Sequence, residues 1–186
     1  MRIIAGHYRS RPLQAPKGLA TRPTSDRLRE TLFNILAPRI AGATFADLYA
    51  GSGAVGIEAL SRGASFVWFA EREPKATAAI RANLSALKIA GGFAIEDRSV
   101  GKLLNGMVDK SRTADIVFLD PPYEAADEYR ATLDFLAKNH ATILAPDAIV
   151  IAEHARKQPP NETHGTLTRY RLLEQGDAAL SFYGIA

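Results

Sequence analysis

Cysteine is absent from the 186 residues of this chain. That excludes disulfides and thiolate metal ligands and fits a cytoplasmic protein. No stretch approaches the roughly 20 consecutive apolar residues of a membrane-spanning helix. Met1-Arg2-Ile3-Ile4-Ala5-Gly6 has no signal-peptide layout. The four histidines, His7, His140, His154 and His164, stand at no metal-ligand spacing, so no metal is expected. Internal repeats and low-complexity tracts are missing too. What is present is a chain that is 47% apolar, enough for one globular domain with a core of its own.

The net charge of +3 is mild, but its placement is uneven. Residues 1–30 carry Arg2, Arg9, Arg11, Lys17, Arg22, Arg27 and Arg29 against Asp26 and Glu30. Seven cations against two anions leave +5 there, and therefore −2 on residues 31–186. A basic segment on a slightly acidic body is the footprint of a polyanion binder. The competing reading is a solvated basic tail that serves only solubility.

Residues 1–23 read as a short extended arm, with the Ile3-Ile4 region pairing with the Leu13 region. Pro12, Pro16 and Pro23 keep it from being helical. Thr24-Ser25-Asp26 supplies a cap cluster. Leu28, Leu32, Ile35 and Leu36 follow at helical spacing, and Pro38 is expected to close the helix. Strands are then expected at 44–49, 66–71, 93–97, 115–119 and 148–153. They alternate with helices at 53–62, 74–88, 99–107 and 126–139. Pro74 suits a first helical position, and Ile80, Leu84 and Leu87 form an apolar stripe behind it. Such alternation predicts an α/β fold, a doubly wound, Rossmann-like, mostly parallel sheet. The segments 167–174 and 179–185, joined by Gln175-Gly176-Asp177, predict an antiparallel hairpin at its end and bring the expected strand count to seven.

Asp47-Leu48-Tyr49-Ala50-Gly51-Ser52-Gly53-Ala54-Val55-Gly56 is a strand end, a glycine turn and a helix start. Gly51, Gly53 and Gly56 match G-x-G-x-x-G, and Glu71 ends the next strand. By itself this passes for a dinucleotide fingerprint, with the acid on the ribose. Electrostatics points elsewhere. Four strands end near an acid, Asp47, Glu71, Asp97 and Asp120, and strand ends meet at the ligand crevice of such a sheet. At an effective dielectric of ~20, each like-charge contact near 4 Å costs roughly 4 kcal/mol before screening, which disfavours pyrophosphate. S-adenosylmethionine carries a sulfonium, an ammonium and a ribose diol, and acids suit all three. One of the four acids is expected to be only a helix cap. Asp97, beside Glu96, is the one whose register is least defined.

Asp120-Pro121-Pro122-Tyr123 follows the apolar run Ile116-Val117-Phe118-Leu119. Proline has no backbone donor and an ionised Asp only accepts. The strand therefore ends in hydrogen-bond acceptors capped by an aromatic ring. That suits a flat ligand with an exocyclic amine, such as a nucleobase. The Asp120 carboxylate and the Pro121 carbonyl would bind the two amine hydrogens and draw the nitrogen toward tetrahedral geometry, while Tyr123 stacks on an unpaired base. Guanine, whose N1–H and N2–H2 are adjacent donors, fits an acceptor-only carboxylate better than adenine does. Asp-Pro-Pro is also ordinary turn chemistry.

These motifs resemble the class I adenosylmethionine-dependent methyltransferases, and among them the bacterial 16S rRNA guanine-N2 methyltransferases acting on guanine 966. Arg2-Ile3-Ile4-Ala5-Gly6, Tyr8-Arg9-Ser10-Arg11 and Arg22 through Asn34 look like that family's opening segments; Asp47 through Arg62 is similar to its cofactor loop. The resemblance implies methyl transfer from S-adenosylmethionine to N2 of one guanine in 16S rRNA, within the 30S subunit or an assembly intermediate. It implies that Asp47 and Gly51-Ser52-Gly53 hold the methionine end, Glu71 the ribose, and that Asp97 lies near the adenine. Tyr49 and Arg72 complete the expected cofactor set. Arg2, His7, Arg9, Arg11, Lys17, Arg22 and Arg27 would contact RNA, phosphate contacts positioning rather than specifying. Arg29, or Arg27, is alternatively a structural partner of a nearby acid, and Tyr8 either stacks on RNA or packs on the domain. Residues 1–23 are thus expected to be an RNA-binding extension of a methyltransferase domain at 24–186, and the protein a monomer. The rival readings are a DNA amino-methyltransferase, which needs a sizeable target-recognition region, a dinucleotide-dependent oxidoreductase, and a non-catalytic RNA-binding assembly protein.

Overall fold

A computed structural model describes residues 1–16, 25–122 and 125–186. Lys17, Arg22 and Tyr123, and Thr24 of the cap cluster, lie outside the described residues. The chain divides into two compact units, Met1–Ser99 and Val100–Ala186.

The first unit opens with the arm. Arg2 and Pro12 form an antiparallel bridge, and Ile3 N–H and Leu13 N–H donate to the carbonyls of Arg11 (2.9 Å) and Met1 (3.0 Å). The predicted pairing of these two regions is therefore present. Helix α1 (Asp26–Ile40) begins at Ser25, whose hydroxyl accepts from Leu28 N–H at 3.1 Å. It buries Leu28, Leu32, Phe33 and Leu36, and Ile35 is half-buried. Pro38 does not close this helix; it lies inside it. A proline in the last turn forfeits one intrahelical bond, and continuing past it buries Ile40. Strands β1 (Thr44–Leu48), β2 (Phe66–Ala70) and β3 (Phe93–Glu96) alternate with helices α2 (Ala54–Ser61) and α3 (Pro74–Ala86). The strands are parallel in the order β3-β2-β1, with Asp47 opposite Phe69 and Ala70 opposite Glu96. The four residues after Thr44 in β1, and after Phe66 in β2, are all buried, as expected of strands covered on both faces.

In the second unit, helix α4 (Val100–Asp109) precedes β4 (Ala114–Leu119), α5 (Ala126–Lys138) and the short α6 (His140–Ile143). Strands β5 (Leu144–Ala155), β6 (Thr163–His164), β7 (Leu167–Gln175) and β8 (Ala178–Ile185) complete it in the order β4-β5-β8-β7-β6. β4 and β5 are parallel, whereas β8 runs antiparallel to both β5 and β7. The C-terminal hairpin is thus as predicted, and the fold is Rossmann-like α/β. The described residues hold eight strands rather than seven. The additional one, Thr163–His164, lies in a polar, proline-containing stretch. Two paired residues leave no periodicity to read. No helix among the described residues is long and apolar enough to cross a membrane.

Candidate active site

Between β1 and α2 the backbone turns through three left-handed residues, Tyr49 (φ 64°), Gly51 (φ 56°) and Gly53 (φ 78°). Tyr49 is the only one with a side chain to strain, and non-glycine residues in this region cluster at functional loops. The glycine amides are all engaged internally. Gly51 N–H donates to Glu71 Oε2 at 2.8 Å, Gly53 N–H to the Ala50 carbonyl at 2.7 Å, and Gly56 N–H to Asp47 Oδ2 at 2.8 Å. Gly56 is where α2 meets β2. A Cβ there would sit 2.3 Å from Phe69 Cε1, so only glycine permits this approach.

Asp47 is 1% exposed. Its carboxylate turns inward onto the start of α2 and caps it from the neighbouring strand. Burial pushes its pKa up to about 7, opposed by the Gly56 N–H and assisted by the charge of Glu71. Glu71 is half-buried. Its second oxygen accepts from Glu73 N–H at 2.8 Å, and its carbonyl accepts from Thr77 Oγ1 at 3.0 Å. A carboxylate offers about four lone-pair positions, so Glu71 keeps acceptor capacity for a ligand hydroxyl. Ser52 is buried, with its hydroxyl 3.8 Å from Met1 Sδ. Arg72 and Asp97 are exposed, and Asp97 meets Arg81 at 3.3 Å. β3 ends at Glu96, whose carbonyl accepts Glu71 N–H at 3.0 Å, which fixes Asp97 one residue past the strand.

The arm is fastened to α2. The two oxygens of Glu58, a fully buried residue, accept Ile4 N–H at 2.8 Å and Ala5 N–H at 3.0 Å. Ser61 Oγ donates to the Ala5 carbonyl (2.6 Å) and accepts from Tyr8 N–H (3.0 Å). Arg62 Nε pairs with Glu58 at 2.7 Å. Arg29 is fully buried. It donates to the Arg2 carbonyl, pairs with Asp26 at 3.0 Å and lies 3.9 Å from Glu58. It is therefore the structural partner of nearby acids, and burial holds its pKa below the usual arginine value. Arg2, His7, Arg9, Arg11 and Arg27 have exposed side chains, while Tyr8 is half-buried against the edge of the His7 ring. Glu58, Ser61 and Asn83 had not been singled out in the sequence. Their signal is a polar residue on an apolar helix: Glu58 within Ala54–Ser61, and Asn83 beside Ile80 and Leu84.

In the second unit Asp120 is half-buried, Pro121 buried and Pro122 exposed. Beneath Pro121 sits Tyr129, 5% exposed, its hydroxyl 2.7 Å from the Glu153 carbonyl and 3.1 Å from the Pro121 carbonyl. One phenolic proton serves one carbonyl at a time, and the shorter contact is to Glu153. A carbonyl has two lone pairs, so Pro121 retains acceptor capacity.

The profile of the family described as conserved hypothetical protein 95 matches residues 1–184. Ribosomal RNA small subunit methyltransferase D of Escherichia coli (strain K12) is 37% identical over 153 residues, covering 82% of this chain and 74% of that protein. The chain belongs to this methyltransferase D family. The solved structure of the methyltransferase yhhF from Escherichia coli superposes with a TM-score of 0.82 at 34% identity, covering 100% of this chain and 97% of the other. SMU.776, whose crystal structure is complexed with SAH, has the same fold at 16% identity, with a TM-score of 0.68 over 84% of this chain and 49% of that one.

Proposed function

We propose that the chain is an rRNA methyltransferase that uses S-adenosylmethionine to methylate N2 of guanine 966 in 16S rRNA. The observation that carries the cofactor assignment is the glycine loop. In a dinucleotide site the loop amides greet a pyrophosphate. Here those of Gly51, Gly53 and Gly56 are already engaged, two of them by carboxylates. Two carboxyl groups, Asp47 and Glu71, meet the loop, and burial first, then the charge of Glu71, raises the pKa of Asp47. Such a loop suits a cationic ligand. Asp47, Tyr49 and Gly51-Ser52-Gly53 would hold its methionine end, and Glu71 its ribose diol, with Arg72 and Asp97 toward the adenine. Bound S-adenosylmethionine supplies a methyl group on a positively charged sulfur.

An exocyclic amine is a weak nucleophile because its lone pair is delocalised into the ring. Hydrogen bonds from its two N–H groups to the Asp120 carboxylate and the Pro121 carbonyl localise that pair on nitrogen, and the one proton that the methylated amine gives up passes to the Asp120 carboxylate or to water. Tyr123 stacks on the extruded base. Catalysis then rests on position and electrostatics, with no covalent intermediate on the protein. Residues 1–23 act as the RNA-binding extension, through Arg2, His7, Arg9, Arg11, Lys17 and Arg22, and Arg27 on α1 adds a further contact. The rRNA assignment is supported by the curated relative named for the small ribosomal subunit. A cytoplasmic monomer acting on the 30S subunit or its assembly intermediate completes the proposal.

The deciding experiment is tritiated methyl transfer to 30S subunits lacking the modification, with naked 16S rRNA and duplex DNA as controls. Label at N2 of guanine 966 is the expected result. Label on DNA, or on another rRNA position, overturns the substrate assignment.

A further inference from the structure

Asn83 lies on α3, 2% exposed, and its amide is shared between two segments far away in sequence. Its Oδ1 accepts Gln14 N–H at 2.8 Å, across 69 residues. Its Nδ2 donates to the Gln14 carbonyl at 3.0 Å and to the Ser52 carbonyl at 3.1 Å. A buried amide engaged at every polar atom has one orientation. Asn83 therefore ties the end of the arm and the middle of the glycine turn to a single point. The arm's other strand reaches Ser52 directly, Met1 Sδ lying 3.8 Å from Ser52 Oγ. Leu13 N–H donates to the Met1 carbonyl at 3.0 Å and holds the two strands together there.

A two-stranded ribbon of this size is marginally stable by itself, so the arm takes its order from these attachments. Ser52 stands between two left-handed glycines, the most permissive backbone positions available. We infer that Asn83 is a positioning residue that couples the basic arm to the cofactor loop, so that RNA and cofactor bind cooperatively. The inference rests on the function proposed above. A polyanion that immobilises residues 1–16 also immobilises Gln14, and with it Asn83 and the Ser52 carbonyl. The ordering cost of the loop is then already met when the cofactor arrives. Linkage makes the effect reciprocal: the cofactor tightens RNA binding by the same factor.

The test is equilibrium dialysis of tritiated adenosylhomocysteine, alone and with saturating unmethylated 30S subunits. For the native protein the 30S subunit is expected to tighten adenosylhomocysteine by about fivefold or more. Asn83→Asp keeps an acceptor for Gln14 N–H but turns an oxygen onto the Ser52 and Gln14 carbonyls. Gln14→Pro removes the arm's donor and keeps every residue of α3 and of the loop. Asn83→Asp is expected to bring the ratio to one, and Gln14→Pro to lower it toward one, since the Gln14 carbonyl still accepts from Asn83 Nδ2. With Gln14→Pro the affinity of the free protein for adenosylhomocysteine stays unchanged, which a purely structural role of the contact would not produce. If Asn83→Asp does not fold, Gln14→Pro decides alone. A native ratio of one with both ligands bound, or an undiminished ratio in the variants, overturns the coupling and leaves the function standing. A native protein that binds neither adenosylhomocysteine nor 30S subunits removes the proposed function, and this inference with it.

Discussion

Asp47 holds a carboxyl whose pKa is about 7 rather than 3.8, because burial disfavours its charge. The folded protein therefore keeps a proton that the unfolded chain releases between about pH 4 and pH 7. The sign follows: this group's contribution to stability falls as pH rises through that window and is level above it. Asp47→Asn, which cannot ionise, is expected to flatten that part of the profile, checked by urea unfolding across the pH range. The ammonium at the methionine end of a bound ligand favours the ionised form, so adenosylhomocysteine affinity is expected to rise with pH up to about 7 and then level off. In the second unit, Asp120→Asn keeps size and shape and replaces one acceptor oxygen by a donor. Loss of a positioned electrostatic partner of this kind costs about 10²-fold or more in kcat. Binding of adenosylhomocysteine is expected to be unchanged, which separates the amine role from the cofactor role.

At the scale of elements, two glycines mark where helix α2 accepts a neighbour. A Cβ at Gly56 would meet Phe69 Cε1 at 2.3 Å and Val67 Cγ1 at 2.9 Å, two side chains of β2 in the closed core. Gly56→Ala must push α2 off the strand, at about 1–3 kcal/mol of stability. Since α2 starts at the glycine loop, adenosylhomocysteine binding should weaken alongside a lowered Tm. Gly6 serves the arm instead. Its φ is +82°, and a Cβ there would lie 1.9 Å from the Ser61 carbonyl oxygen. Gly6→Ala is expected to detach the arm with a smaller change in Tm and a clear loss of 30S affinity. Measuring both properties in both variants shows how far a change at one end of α2 is felt by the ligand of the other.

For the whole molecule, the uneven charge is the property with the broadest consequence. The surplus of +5 in residues 1–30 should make 30S or rRNA binding fall steeply with salt. Each neutralised arm arginine, Arg9→Ala or Arg11→Ala for example, is expected to lower the salt slope by about one and to weaken binding uniformly across RNA sequences. Arg29→Ala is different in kind. That guanidinium is fully buried and holds the Arg2 carbonyl and Asp26, so its removal leaves a cavity and a carbonyl without its donor and should act on stability first. In a thermal-shift comparison adenosylhomocysteine is expected to stabilise the protein through linkage, and NAD is expected not to.

The order of strands and helices, the parallel character of the first half and the closing hairpin were legible in the sequence because they depend on local pattern. Apolar runs of Val, Ile and Phe, punctuated by Gly-Ser-Gly, Pro74 and Gln175-Gly176-Asp177, allow few other arrangements. The identity of the loop residues was legible for the same reason, since a G-x-G-x-x-G turn is written in consecutive positions. Which partners those residues take was not. Only the tertiary structure decided that Gly51 N–H belongs to Glu71, that Asp47 faces α2 rather than solvent, and that Asn83 joins Gln14 to Ser52. Likewise Pro38 looked like a stop, yet burial of Ile40 carries α1 past it. The physical reason is range. Propensity and periodicity act over a few residues, whereas burial and the pairing of buried polar groups depend on neighbours that folding brings from 20, 31 or 69 positions away.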